Sequence, residues 1–294
     1  MKEAYGYLLI AASFIIWGTS GIFGKLAFGY KINPATLIAL RLLISSLTIL
    51  IPVTLFKREL FKIQKRDLPQ FLILGVLATA VQRVIYFYAV DLTTVTIAVV
   101  LFQTHPIFIT IYASLFFKEK VTSSTILAMA LTFSGATLVA KAYEFSWLRA
   151  NLTGVILGMM SSILFALYFL VIRGLRNRYT NWTLILYGET IGAVTLTPII
   201  FSSLYEIVNY AQQLWFLILA MAWLSSLLAY LVYSYALKYV KSSKGSILSI
   251  MEPLSAAIFS VTILRENFEP LQIIGVTLAL TGVILLFYKP RFKN

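Results

Sequence analysis

The sequence predicts an all-α integral membrane protein in which ten transmembrane helices form two inverted five-helix repeats. Of its 294 residues, 60% are hydrophobic and only 12% are charged, a composition too apolar for a soluble domain to cover with a hydrated surface. Apolar stretches of about 20 residues, the length that crosses a bilayer core, recur between charged or turn-rich breaks. The second half of the chain also repeats features of the first half, so one architecture is expected twice.

The internal repeat is clearest around two prolines, Pro106 and Pro253, which lie 147 residues apart. The flanking sequences correspond without gaps, and the matched residues are of unlike types, which chance similarity between apolar helices rarely produces. Each copy contains five predicted spans, so the second copy is expected to be inverted relative to the first. The matching features are Tyr86-Phe87-Tyr88-Ala89-Val90 with Tyr233-Ser234-Tyr235-Ala236-Leu237, His105 with Glu252, Phe117-Lys118-Glu119-Lys120 with Leu264-Arg265-Glu266-Asn267, and Gly135 with Gly282.

The individual spans are placed between charged or turn-rich breaks. They group into a first repeat over residues 1–141 and a second repeat over residues 152–288, joined by the polar stretch Lys141 to Asn151. The chain runs from its charged start into a long apolar core without a small-residue cleavage site, so the first span is expected to stay uncleaved. The predicted spans are 5–28, 34–56, 69–89, 92–117, 122–140, 152–172, 182–203, 212–236, 243–264 and 270–288.

The basic residues indicate how the chain is oriented. Of the 24 Lys and Arg residues, seventeen fall on one side of the predicted bilayer and five on the other, while Arg41 and Arg83 lie inside spans. By the positive-inside rule both termini are expected to be cytoplasmic, in a plasma or inner membrane. The net charge of +13 is thus explained by topology. We expect no nucleic-acid partner, because the basic residues form short clusters between spans.

Little of the chemistry that an enzyme needs is present. The chain has no cysteine and one histidine, which excludes disulfides, thiolate metal sites and a histidine metal cluster, so no metal or cofactor is expected. A membrane enzyme would need clustered Asp or His residues at a membrane face, and the loops at Asp67 and Asp91 provide no cluster. An uncoupled channel stays open as an alternative, and would predict rings of repeated polar residues.

The first span and the two proline regions carry a family resemblance. The stretch Trp17-Gly18-Thr19-Ser20-Gly21-Ile22-Phe23-Gly24-Lys25, Pro106 followed by Phe117-Lys118-Glu119-Lys120 and Gly135, and Pro253 followed by Leu264-Arg265-Glu266 and Gly282 resemble EamA-type members of the drug/metabolite transporter superfamily. The resemblance implies a ten-helix carrier of amino acids or related small metabolites, often an exporter. The superfamily also includes sugar-phosphate and nucleotide-sugar exchangers and multidrug carriers, so the substrate stays open. Phe165-Ala166-Leu167-Tyr168 replaces the Trp-Gly pair in the second repeat, which leaves a symmetric role of that helix unsupported.

An ionisable side chain inside a span costs free energy in hydrocarbon, so each one is expected to have a structural or functional role. Glu252 lies in mid-span directly before Pro253, whose missing N–H is expected to free the Ser249 carbonyl. Ser249 and Ser255 lie on one helix face, so this group could hold a substrate ammonium or take up a coupling proton. The alternative is a structural Glu that is hydrogen-bonded to a neighbouring helix.

His105 occupies the equivalent position in the first repeat, directly before Pro106. The Phe102 carbonyl is expected to be freed there in the same way. An imidazole can change charge near neutral pH or donate a fixed hydrogen bond, so we expect His105 to form the polar, proton-coupling centre together with Glu252. A structural His is the alternative. Pro106 and Pro253 are the predicted hinges of a carrier whose halves rock about a central cavity.

Arg83 shares one face of the third span with Gln82 and Tyr86. Its guanidinium could clamp a substrate carboxylate by paired hydrogen bonds, and a structural pairing with a carboxylate or with freed carbonyls is the alternative. Arg41 and Glu189 lie nearer the ends of their spans, so packing or interface anchoring is predicted for both. Exchange of sugar phosphates would call for more basic residues facing the cavity.

Aromatic residues near mid-span predict a wall for a modestly apolar organic solute. For each of them singly, core packing is the alternative. The expected partners are therefore a small-molecule substrate, the lipid bilayer and protons, and the glycine faces of the spans leave monomer and homodimer open. The predicted substrate-binding residues are Trp17, Gln82, Arg83, Tyr86, Phe102, His105, Tyr168, Tyr230, Tyr233, Ser249 and Glu252.

Overall fold

The computed structural model describes residues 2–118, 122–236, 239, 248 and 251–287, and every regular element within these ranges is a helix. This agrees with the predicted all-α class. Ser249, Glu119 and Lys120 lie outside the described residues, as do residues 243–247 of the predicted ninth span.

The first half contains seven α-helices and one π-helix among the described residues. Two short 3-10 helices, Arg58–Phe61 and Lys65–Asp67, connect α2 to α3. The helix α3, the π-helix and α4 follow one another without a break from Leu68 to Leu92. The bounds are α1 Lys2–Phe28, α2 Pro34–Phe56, α3 Leu68–Leu72, π-helix Ile73–Val81, α4 Gln82–Leu92, α5 Val95–Phe102, α6 His105–Phe117 and α7 Ser123–Val139.

The second half follows the same plan. A second π-helix lies between α11 and α12, and these three elements run without a break from Gln212 to Ala236. The bounds are α8 Phe145–Leu175, α9 Asn181–Ser202, α10 Leu204–Val208, α11 Gln212–Ala220, π-helix Met221–Leu228, α12 Ala229–Ala236, α13 Met251–Leu264 and α14 Pro270–Phe287.

Seven helical segments of the described chain are long and apolar enough to cross a membrane, in agreement with the predicted membrane class. Three predicted spans correspond to shorter apolar helices, Ser123–Val139, Met251–Leu264 and Pro270–Leu285. The seven longer segments are Ala4–Phe28, Pro34–Phe56, Lys65–Leu92, Val95–Phe116, Phe145–Leu175, Asn181–Ser202 and Gln212–Tyr233.

The structure differs from two of the predicted spans. The span predicted over 92–117 corresponds to α5 and α6, which together form one membrane segment with a break at Gln103 and Thr104. Pro106 lies in the first turn of α6, where its missing N–H costs no helical hydrogen bond. The sixth span begins at Phe145 rather than at residue 152. The helix includes most of the polar stretch, because its hydrogen bonds begin where the Leu148 N–H donates to the Glu144 carbonyl at 2.9 Å.

The repeat is visible in the helix boundaries. Four helices of the first half have a start or an end that recurs 147 residues later, the same distance that separates the two prolines. The chain therefore keeps one spacing from α1 to α14, well beyond the region where the sequences visibly match. The pairs are the ends Phe28 and Leu175, the starts Pro34 and Asn181, the ends Phe117 and Leu264, and the starts Ser123 and Pro270.

The two halves pack along a seam between α7 and α14. A Cβ atom on Gly135 would lie 2.5 Å from the Gly275 carbonyl oxygen, and one on Gly282 would lie 2.6 Å from the Ala128 carbonyl oxygen. Both distances are too short for real Cβ contacts, so the helices touch backbone to backbone there. Elsewhere α1 packs on α12 and α13, α4 on α8, and α2 on α9, which brings helices of both halves around one central region.

Candidate functional site

Arg83, at the start of α4, forms an ion pair with Glu189 of α9. Its Nη1 lies 3.1 Å from Glu189 Oε2 and its Nη2 lies 2.6 Å from Oε1, so the contact is a paired one. Such a fork fixes both side chains. Glu189, for which packing or interface anchoring was predicted, is thus the partner of Arg83. In this state the Arg83 guanidinium is held by a carboxylate of the protein itself.

Arg41 lies in α2 and is only 6% exposed. Its Nε donates to Ser226 Oγ at 3.0 Å and its Nη1 donates to Ser20 Oγ at 2.9 Å. The guanidinium carbon lies 5.9 Å from the centre of the Phe87 ring. Among the described residues no carboxylate oxygen lies within 4 Å of its guanidinium nitrogens. Packing or interface anchoring was predicted for Arg41, and these polar contacts were not part of that prediction.

One aromatic cluster joins α1 to α12. The Trp17 ring lies 5.6 Å from Tyr233 and 6.3 Å from Tyr230, centre to centre, and Phe14 packs edge-on against both Trp17 and Tyr233. Edge-to-face rings at these separations attract one another through their quadrupoles. The structure therefore brings together three of the predicted wall residues.

A second aromatic cluster joins α4, α5 and α8. Phe165 and Tyr168 are stacked with their rings 5.5 Å apart, and Phe165 also lies 4.9 Å from Phe102 and 4.8 Å from His105. Tyr86 reaches the same cluster through Phe102, at 5.4 Å. Phe165 is the central ring of this cluster, although the sequence suggested only that it replaces the Trp-Gly pair.

His105 is the first residue of α6, and its side chain bonds a backbone carbonyl at the break between α5 and α6. Its Nδ1 lies 3.0 Å from the Phe102 carbonyl oxygen. A carbonyl can only accept a hydrogen bond, so Nδ1 carries the proton in this contact. The Phe102 carbonyl, which was expected to be free, is therefore bonded by the neighbouring imidazole.

Glu252 lies in the first turn of α13, directly before Pro253. A negative charge is favourable at a helix start because the free N–H groups point toward it. Among the described residues its carboxylate has no hydrogen-bond or ion-pair partner, whereas its backbone carbonyl accepts from Ser255 Oγ at 2.9 Å. Gly18 of α1 packs against the same residue, since a Cβ atom there would lie 2.8 Å from the Glu252 carbonyl oxygen.

The two π-helices lead directly into the site. The first ends at Val81, just before Gln82, which is buried, and Arg83. The second contains Ser226, whose hydroxyl also donates to the Met221 carbonyl five residues earlier at 3.2 Å. Wide helical turns of this kind occur often at functional sites. Ser20 and Ser226 were absent from the predicted site, although hydroxyl groups in otherwise apolar spans could have indicated them.

Two apolar cavities lie beside the second π-helix. One has a volume of about 430 Å³ and is lined by six residues of α11 and its π-helix. The other, of about 250 Å³, lies between α2, α9 and α12 and includes Tyr230 from the first aromatic cluster. Within the described ranges no group of three His, Cys, Asp or Glu side chains could hold a metal ion.

Comparisons with known proteins agree on one family. Residues 4–141 and 152–288 each match the EamA-like transporter family. An uncharacterized transporter of Archaeoglobus fulgidus is 26% identical over 284 residues, covering 95% of this chain and 96% of its own. An uncharacterized transporter of Clostridium kluyveri is 24% identical over 303 residues, covering 100% of this chain and 96% of its own. One solved crystal structure shares the fold with a TM-score of 0.63, at 14% identity and 96% coverage of both chains.

Proposed function

Because the chain belongs to the EamA-like transporter family, we propose that it is a secondary-active, alternating-access transporter of small organic metabolites. Amino acids or related compounds are the proposed substrates, and export across the cell membrane is the proposed direction. The observation that carries this proposal is the convergence of two aromatic clusters and several polar side chains from both halves on one central region. A solute there would contact both halves at once.

The proposed architecture is ten spans in two inverted repeats, with both termini cytoplasmic. Reciprocal contacts support a twofold relation between the halves. Gly18 of α1 packs against the Glu252 backbone, and Phe165, which lies 147 residues after Gly18, packs against His105, which lies 147 residues before Glu252. Five spans in each half then require the inversion, as in other carriers with alternating access.

The proposed substrate pocket lies between the two aromatic clusters. Rigid aromatic walls with a few polar groups suit a modestly apolar organic solute. Arg83 could clamp a substrate carboxylate only after Glu189 releases it, because the ion pair occupies the guanidinium in this state. The proposed lining residues are Trp17, Gln82, Arg83, Tyr86, Phe102, His105, Tyr168, Tyr230, Tyr233, Ser249 and Glu252.

In the proposed cycle, Pro106 and Pro253 act as hinges and Glu252 and His105 couple the movement to protons. The support for the hinges is that each proline lies in the first turn of its helix, α6 or α13. The support for coupling is that the Glu252 carboxylate has no partner among the described residues, so it is available to a proton or to a substrate ammonium.

Counterflow in proteoliposomes tests this function. An unlabelled amino acid inside the vesicles should drive uptake of the labelled amino acid, which a carrier produces and a channel does not. Glu252→Gln should retain counterflow but lose the pH dependence of transport, because an amide cannot take up a proton. Glu206→Gln, at an exposed position of α10, is the matched control. Unchanged pH dependence in Glu252→Gln would remove the coupling role, and absent counterflow would remove the carrier.

A further inference from the structure

We propose that Arg41, together with Ser20 and Ser226, forms the subsite for a carboxylate group of the transported solute. The solute is then an organic acid or a zwitterion, and neutral compounds and pure amines are excluded. This inference rests on the proposed carrier function, because it identifies the substrate class of the same central region. The three residues come from α1, α2 and the second π-helix, so both halves contribute to the subsite.

The charges of the central region point to Arg41 rather than Arg83. Arg83 and Glu189 neutralise one another through two hydrogen bonds. Arg41 is less exposed than Arg83, yet its partners within the described chain are two neutral hydroxyl groups and one ring face. A buried cation requires an anion nearby. A solute carboxylate would supply that anion while it is bound.

The two serines use only some of the N–H donors of the Arg41 guanidinium. Arginine carries five N–H groups in a planar fork, and the two serines occupy only one at Nε and one at Nη1. Its remaining donors have no acceptor among the described residues. Ser20 and Ser226 are themselves partly exposed, so the group is not sealed by packing. A carboxylate can therefore accept two parallel bonds from this fork.

The surroundings of Arg41 also favour a zwitterion among the acids. One turn of α1 brings Arg41 and Glu252 to the same place. Ser20 accepts a hydrogen bond from Arg41, and Gly18 packs against the Glu252 backbone. A solute with its carboxylate at Arg41 and its ammonium at Glu252 would complement both. Its side chain would then lie against the rings of the second aromatic cluster, which Tyr86 joins through Phe102.

A binding screen on the purified full chain tests this subsite without using transport. The twenty amino acids and a set of mono- and dicarboxylic acids are each compared with their carboxamides by thermal shift. We expect that some acids stabilise the protein and that their carboxamides do not. Arg41→Gln should weaken the binding of those acids at least tenfold, and Arg41→Lys, which keeps the charge but not the fork, should weaken it less.

Ser45→Ala provides the matched control. Ser45 lies one turn after Arg41 in α2 and donates to the Ala222 carbonyl of the same π-helix at 3.3 Å, so its removal alters the same helix contact without touching the guanidinium. The affinity of the Ser45→Ala variant for the acids should equal that of the wild type. If Arg41→Gln does not fold, the double variant Ser20→Ala, Ser226→Ala keeps the charge and should weaken acid binding severalfold.

Three results would overturn the subsite: carboxamides that bind as well as their acids, full acid affinity in Arg41→Gln or in the double serine variant, or no stabilisation by any acid. The carrier proposal fails separately. Acid binding that depends on Arg41 without any counterflow would leave the subsite in place and remove the carrier. Counterflow that is restricted to neutral compounds or amines would support the carrier and remove the subsite.

Discussion

The two halves of this transporter meet in two different ways. At the seam between α7 and α14, Gly135 and Gly282 bring backbone against backbone and leave no space for a side chain. In the centre, the halves meet through long side chains, such as Arg83 with Glu189 and Arg41 with Ser226. Side-chain contacts can open by a change of rotamer, whereas a backbone contact cannot change without separating the helices. We therefore expect the seam to stay fixed during transport and the centre to rearrange.

Breaking the central ion pair should have the largest effect on stability. Arg83→Gln leaves the buried Glu189 carboxylate without its partner, which typically costs about 3–5 kcal/mol of unfolding free energy. Denaturant unfolding of the purified protein in detergent measures this loss. The double variant Arg83→Gln, Glu189→Gln removes both charges and should recover most of it. A double variant as unstable as the single one would show that the pair does not hold the centre together.

Filling the seam should have the next largest effect. Gly135→Ala places a methyl group 2.5 Å from the Gly275 carbonyl oxygen, and such overpacking costs about 1–3 kcal/mol. Gly174→Ala is the matched control, because the nearest atom to its new methyl group would be Gln70 Oε1 at 3.8 Å. The control should be neutral or slightly stabilising, since alanine favours a helix. Equal unfolding free energies for the two variants would contradict the fixed seam.

The smallest effect is expected at the end of the seam, outside the membrane-spanning helices. Hydrogen bonds from Lys141 and then from Tyr143 hold the pKa of the Glu269 carboxyl below its ordinary value. A lowered folded-state pKa contributes stability that is present above the unfolded-state pKa of about 4.3 and is lost as the pH falls through the folded-state value.

Thermal unfolding measured downward from pH 6 should therefore show a small loss below about pH 4.3 in the wild type. Glu269→Gln should remove this dependence, and Glu206→Gln should retain it. A wild-type profile that is flat through this range would show that the Lys141 contact adds nothing to the seam. The effect is small because Glu269 is exposed to solvent and its ion pair is screened.

The sequence predicted the membrane class and the family, because both follow from local patterns. Hydropathy and length identify spans without tertiary information, and the spacing of Pro106 and Pro253 indicated the repeat that the helix ends follow. The break between α5 and α6 was not predicted, although Pro106 had indicated that the helix is irregular there.

The partners inside the site were much harder to predict. Glu189 lies 106 residues from Arg83 and in the other half, so only the packing of α4 on its neighbours identifies the pair. Arg41 was assigned to packing or interface anchoring because it lies close to the start of its span in the sequence. Its depth depends on how α2 is inserted in the bundle, and no property of a single span determines that.

The two π-helices have a further geometric consequence. A π-type hydrogen bond spans one residue more than an α-type bond, and one extra residue in a helix rotates all later side chains by about 100° around the axis. In the first half this offset sets the direction of Arg83, and in the second half that of Tyr230. If the π turn moved along its helical segment, the side chains that it passed would rotate about the helix axis while both ends of the segment stayed in place. The direction of these side chains can therefore change without tilting a helix.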